Sequence, residues 1–117
     1  MGQYAPRTKL CEVILNGSYI GVYVLMERIK INPGRVNVDP LNYTDTLDNQ
    51  LTGGYIIKVD KTTSGGVIAW TSPYTAQVPS NGPLYYQMHD PELSALHPDQ
   101  FNHIKTYVNN WETALKS

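Results

Sequence analysis

A chain of 117 residues with 41% apolar and 16% charged residues has room for one small domain with a buried core. Its formal net charge of -1, with Lys9, Arg28, Lys30 and Arg35 scattered rather than striped, excludes broad electrostatic attraction to nucleic acid or anionic lipid. Cys11 is the single cysteine, which excludes an intrachain disulfide, and its apolar strand setting reads as a small core residue.

Residues 1–9 are polar and irregular. Leu10–Leu15 then reads as a strand, Asn16-Gly17 as a tight turn and Tyr19–Met26 as the returning strand. Asn-Gly between β-formers is a strong hairpin signal, because both residues accept the positive φ of a type I′ turn. On the second strand Ile20, Val22, Val24 and Met26 are expected on one face and Tyr19, Gly21, Tyr23 and Leu25 on the other. Both sets are largely apolar, so the strand is expected to be central and covered on both sides. Gly21 is expected to mark the close approach of a neighbour.

Glu27-Arg28-Ile29-Lys30-Ile31 alternates charged and apolar residues and leads into an Asn32-Pro33-Gly34 turn. Arg35–Val38 predicts a short strand, and residues 39–52 an excursion loop. Gly53-Gly54 opens a third strand, Tyr55–Asp60, whose weak alternation suggests burial on both faces. Thr62–Gly66 reads as a turn and Val67–Trp70 as a short strand. From Thr71 to Pro91 the prolines allow only short extended pieces, of which Leu84–Met88 is the best. The chain closes on its one clear helix, with His97 at the N-cap, Pro98 at the first helical position and Asp99 at the positive end of the dipole. Phe101, Ile104, Val108, Trp111 and Leu115 form its apolar stripe. The fold class is α+β: an antiparallel β-hairpin and sheet with a C-terminal helix. So much apolar surface on strands and helix implies partner elements outside these residues.

The chemistry-bearing patterns are sparse. Gly53-Gly54 and Gly65-Gly66 lack the spacing and Lys of a phosphate loop. There is no nucleophile elbow, no His-Glu-x-x-His and no paired Cys. His89, His97 and His103 lack ligand spacing, and His89-Asp90 are neighbours on extended chain, which point apart. Asp39, Asp45 and Asp48 lack the alternation and closing Glu of a calcium loop. No apolar run approaches a membrane span, and the opening residues show no leader, so any export signal is expected upstream. Nine Tyr against one Phe suit half-buried sheet faces or a stacking groove.

Three segments together resemble the CotH (spore coat protein H-like) kinase family: MGQYAPR (Met1–Arg7), NGSYIGVYVLMERIK (Asn16–Lys30) followed by RVNV (Arg35–Val38), and LTGGYIIKVDK (Leu51–Lys61). The closing helix, opening Pro98-Asp99-Gln100, fits as well. The resemblance implies a partial atypical protein-kinase-like fold over residues 1–117: the end of the N-lobe sheet, the hinge and the start of the C-lobe, with both flanks missing. It implies a parent that uses ATP with Mg or Mn to phosphorylate Ser or Thr on coat or secreted proteins, in a spore coat, cell envelope or secreted setting. It further implies that Met26, Glu27, Arg28 and Ile29 form the hinge beside the adenine. Lys58, Asp60 and Lys61 would line the same cleft. The phosphate-gripping Lys, the catalytic Asp and the metal-binding Asp cannot be placed, so these residues alone are expected to be inactive. The alternative is a non-catalytic secreted β-domain that binds polysaccharide or serves as a structural coat component.

Overall fold

The computed structural model describes residues 4–60, 67–75 and 82–117. The chain divides into two compact units, Met1–Asn37 and Val38–Ser117. Antiparallel sheets and one C-terminal helix give the α+β class.

In the first unit, β1 (Thr8–Leu15) and β2 (Ser18–Met26) form a two-stranded antiparallel ribbon. The Asn-Gly turn forms as its chemistry requires, with φ of 51° at Asn16 and 81° at Gly17. Two expectations fail along β2. Val13 pairs with Gly21 but Ile14 with Tyr19, so Ile20 is the extra residue of a β-bulge. Directly paired residues share a face, so the bulge carries Tyr19 to the face of Val22, Val24 and Met26 and away from Tyr23 and Leu25. Nor is Gly21 there for a close neighbour: a Cβ on it would meet nothing within 4 Å. Its φ of 117° is the constraint, a conformation that glycine adopts without steric cost.

The ribbon is not covered on both sides either. Leu10, Ile14, Val22, Val24, Leu25 and Met26 are all exposed, since β1 and β2 pair only with each other among the described residues. Cys11 accordingly is half-buried, its Sγ donating to the Tyr23 carbonyl at 3.6 Å, rather than a core residue. Arg35–Val38 forms no strand. Val36 makes an isolated bridge to Ile31, across an Asn32–Arg35 turn in which Asn32 Oδ1 accepts from the Gly34 N–H at 2.9 Å.

The second unit holds a three-stranded antiparallel sheet in the order β3 (Ile56–Val59), β5 (Pro83–Asp90), β4 (Trp70–Thr75). A short 3-10 turn, Leu93–Ala95, leads from β5 to α1 (Pro98–Lys116). β5 contains the expected Leu84–Met88 segment and is the central strand, which is why Tyr86, Gln87 and Met88 are buried. β3 lies at an edge, so Lys58 and Val59 are exposed and the expected double burial does not occur. The strand expected at Val67–Trp70 begins only at Trp70, and Ala69 adds one backbone bond to the Tyr86 carbonyl at 2.8 Å. β4 then runs through Pro73. This is tolerated because β4 is an edge strand and its register with β5 breaks between Thr71 and Thr75. The expected turn at Thr62–Gly66 lies outside the described residues.

Trp70, Tyr86, Met88, Leu96 and Ile104 form the core, with Ile57, Phe101 and Val108 packed against it. The Trp70 and Tyr86 rings stack at 4.9 Å, and Phe101 meets Trp70 edge-on at 5.9 Å. α1 starts as its sequence dictates: His97 Nδ1 accepts from the Asp99 N–H at 3.3 Å, and Gln100 Oε1 accepts from the His97 N–H at 3.0 Å. Its apolar stripe is engaged only in the first half. Ile104 is buried, but Trp111 and Leu115 are 55% and 67% exposed, and Gln100 and Glu112 are buried instead.

The excursion loop is closed at its neck. A Cβ on Gly54, whose φ is 81°, would collide with the Asp39 carbonyl oxygen and with Leu41. Gln100 Nε2 donates from α1 to the Asn42 and Asp45 carbonyls at 2.6 and 3.0 Å, and Asp45 Oδ2 accepts from the Asn42 N–H at 2.7 Å. The segment is therefore a compact Ω-type loop with Leu51 buried.

Gly21→Val forces a β-branched residue into positive φ and is expected to destabilise the ribbon by about 1–3 kcal/mol. Amide exchange across Val13–Val22 should accelerate accordingly; unaltered protection there would refute the bulge assignment.

Candidate functional site

The segment leaving β2 is fastened by one carboxylate. Glu27 continues the ladder one step beyond Met26, donating its N–H to the Arg7 carbonyl at 3.0 Å. Its side chain then takes the Arg7 guanidinium in two-point fashion, Nη2 on Oε1 at 2.7 Å and Nε on Oε2 at 3.2 Å. Arg35 Nε reaches the same Oε1 at 3.1 Å, while the Arg7 N–H and the Tyr4 hydroxyl donate to Oε2, each at 3.4 Å. Arg35 also donates through Nη1 to the Arg28 carbonyl at 3.1 Å, so one guanidinium holds consecutive residues of the segment.

Hydrogen bonds from the Arg7 guanidinium lower the Glu27 carboxyl to about 2, against desolvation acting the other way; the Arg7 N–H and the Arg7 and Arg35 charges add to the lowering. The Glu27 side chain is 10% exposed, the Arg7 side chain 79%. Beside the clamp lies an open cleft of about 400 Å³ in which the apolar side chains of Leu25 and Met26 meet cationic Lys9, Arg28 and Arg35.

The hinge candidates Met26, Glu27, Arg28 and Ile29 are thus contiguous at the end of β2, and three of them line this cleft. Glu27 serves as the fastener of the segment, its carboxylate oxygens both engaged. Lys58 and Asp60 belong to the second unit, where they pair with each other at 3.6 Å on the exposed edge of the sheet. Lys61 lies outside the described residues. Sequence reading missed Arg7 and Arg35 as the partners of Glu27. The clue was present, since both sit inside the quoted segments MGQYAPR and RVNV.

It also missed a second polar cluster. Glu112 of α1 is buried, and its Oε1 accepts from the Ser72 hydroxyl at 2.7 Å and the Tyr86 hydroxyl at 2.8 Å. The Tyr74 N–H donates to Ser72 Oγ at 3.0 Å. Burial, the hydrogen bond to Glu112 and the Glu112 charge together push the Tyr86 hydroxyl up to about 12. Trp70 Nε1, Asn109 Oδ1 and Glu112 Oε2 are buried without a hydrogen-bond partner among the described residues. A signal for this cluster was available: Glu112 follows Ile104 and Val108 at spacings of four, on the edge of the buried face. Among the described residues no group of three or more His, Cys, Asp or Glu side chains is placed to hold a metal ion, and no helix is long and apolar enough to cross a membrane.

An antiparallel ribbon leads into a clamped, cleft-lining segment, followed along the chain by a sheet and a long helix. Comparison with known families gives the class: residues 1–117 match the CotH kinase protein family, and the chain belongs to it. No curated protein and no solved structure matches the chain.

Two titrations are expected. Glu27 has a folded value below its ordinary 4.5, so the clamp contributes fully above that pH and is lost as the pH falls toward about 2. Carboxyl carbon shifts should place the Glu27 midpoint near the lower value; a midpoint in the ordinary range would exclude the clamp. Tyr86→Phe removes one of the donors to buried Glu112 and should cost about 1–3 kcal/mol, read from a denaturant midpoint. An unchanged midpoint would show the network to be energetically silent. In the unsubstituted chain the stability owed to Tyr86 is present below 10 and lost as the pH rises toward about 12.

Proposed function

We propose that this chain carries the end of the N-lobe sheet, the hinge and the start of the C-lobe of a CotH-type protein kinase. The whole protein, in this reading, transfers phosphate from ATP to Ser or Thr of coat or secreted proteins, in a spore coat, cell envelope or secreted setting. The observation that carries the reading is the Met26–Ile29 segment: it leaves the ribbon locked by Glu27, beside a cleft that combines apolar Leu25 and Met26 with cationic side chains. An adenine edge needs fixed backbone beside apolar side chains, and an attached polyphosphate needs positive charge nearby. When bound, ATP supplies the phosphoryl group. The residues of this chain position its base and exclude water from the apolar side of the cleft. Lys58 and Asp60 are the further cleft-lining candidates.

The described residues offer no donor set for Mg or Mn, so no step through a metal is assigned to them. The phosphate-gripping Lys, the catalytic Asp and the metal-binding Asp are then supplied by other parts of the protein. Support comes from the apolar faces of β1 and β2 and from Trp111 and Leu115, exposed surface of the kind that meets another element.

The test is phosphotransfer by the full-length protein with ATP and Mg or Mn, using itself and a coat protein as acceptors. Glu27→Ala should lower kcat/KM for ATP by about tenfold to hundredfold, because a loosened hinge misplaces the nucleotide. Residues 1–117 alone should transfer nothing. Full-length protein that neither binds ATP nor phosphorylates any acceptor overturns the reading and leaves a structural coat role.

A further inference from the structure

A second cleft, of about 370 Å³, lies wholly within the second unit, between the Gly53-Gly54 turn and α1. Its chemistry differs from that of the hinge cleft. Tyr55, His103 and Tyr107 supply aromatic surface, Thr52 a hydroxyl, and among the described residues no Lys, Arg, Asp or Glu lines it. The Tyr55 and His103 rings stack at 6.4 Å with 17° between their planes. The Tyr55 hydroxyl is spent on the Gln100 carbonyl at 3.4 Å, which fixes that ring. Tyr107 is 65% exposed at the rim. Gly53 leaves the cleft open: a Cβ there would meet nothing within 4 Å.

We propose that this cleft binds a neutral saccharide ring. An ionic ligand would lose hydration against a lining that has no fixed charge to replace it. A sugar matches the lining on both counts, since its C–H face packs on aromatic rings and its hydroxyls find the Thr52 and Tyr107 hydroxyls and the glycine backbone. An extended peptide would instead seek the backbone of a strand edge, and the floor of the cleft is turn, with β3 beginning only at Ile56. The site is independent of the nucleotide reading and stands or falls separately from it.

The test is amide-shift mapping of the ¹⁵N-labelled full chain, titrated with cellotriose, chitotriose and maltotriose, with N-acetyltyrosinamide as the peptide-like comparison. Shifts should be confined to Thr52–Tyr55 and the His103–Tyr107 turn of α1. Gly53→Val adds bulk to the cleft lining at a position whose Cβ meets nothing within 4 Å and that has no positive φ to accommodate, and Tyr107→Ala removes the rim platform; each should weaken binding by about tenfold or more, while Tyr107→Phe retains most of it. Absence of shifts with all three trisaccharides, saccharide binding indifferent to Gly53→Val, or tighter binding of N-acetyltyrosinamide would each overturn the proposal.

Discussion

The second unit hangs on the side-chain amide of Gln100. It is 1% exposed and uses both ends: Oε1 accepts from the His97 N–H and caps α1, while Nε2 donates to two carbonyls of the Ω-type loop. A capping box is ordinarily satisfied by Glu or Gln alike. Here only Gln serves, because a carboxylate would face the Asn42 and Asp45 carbonyl oxygens with no hydrogen to give them. One residue therefore decides both where the helix starts and where the loop rests.

The first unit is organised on the opposite principle. Its strands bury little, and what fixes the exit of β2 is charge: one carboxylate shared by two guanidiniums, one of which also holds the next carbonyl along the chain. Surface ion pairs taken singly contribute little, but two-point geometry on a side chain that is only 10% exposed restricts the backbone it belongs to. A segment fixed in this way holds its backbone in one arrangement, with the Glu27 N–H and the Arg28 carbonyl already engaged. The Glu112 cluster does comparable work inside the second unit, tying the end of α1 to β4 and β5. It sets a negative charge near the negative end of a helix, an arrangement that two hydroxyl donors offset.

Those parts of the fold that depend on neighbours in sequence were legible in it. Asn16-Gly17 specified its turn, and His97-Pro98-Asp99-Gln100 specified the start of α1, because each is a local backbone requirement met by particular side chains. What depended on distant partners was not legible. Arg35 looked like a strand residue, yet its guanidinium is committed to Glu27 and to the Arg28 carbonyl, and the backbone around it turns accordingly. The apolar pattern of β2 implied cover that no described element of its unit provides, and the bulge at Ile20 could not be read from a run of β-formers. β4 was hidden by Pro73 and by the polar Thr71 and Ser72, which suit an edge but break the alternation. Nor did the sequence reveal that Glu27 is turned toward Arg7 and Arg35.

Pro73 has a consequence for how this sheet can be extended. A strand joining alongside β4 would find no amide hydrogen at that position and an irregular register on either side of it. β3, Ile56–Val59, carries no proline. Growth of the sheet by a further strand is thereby disfavoured along β4.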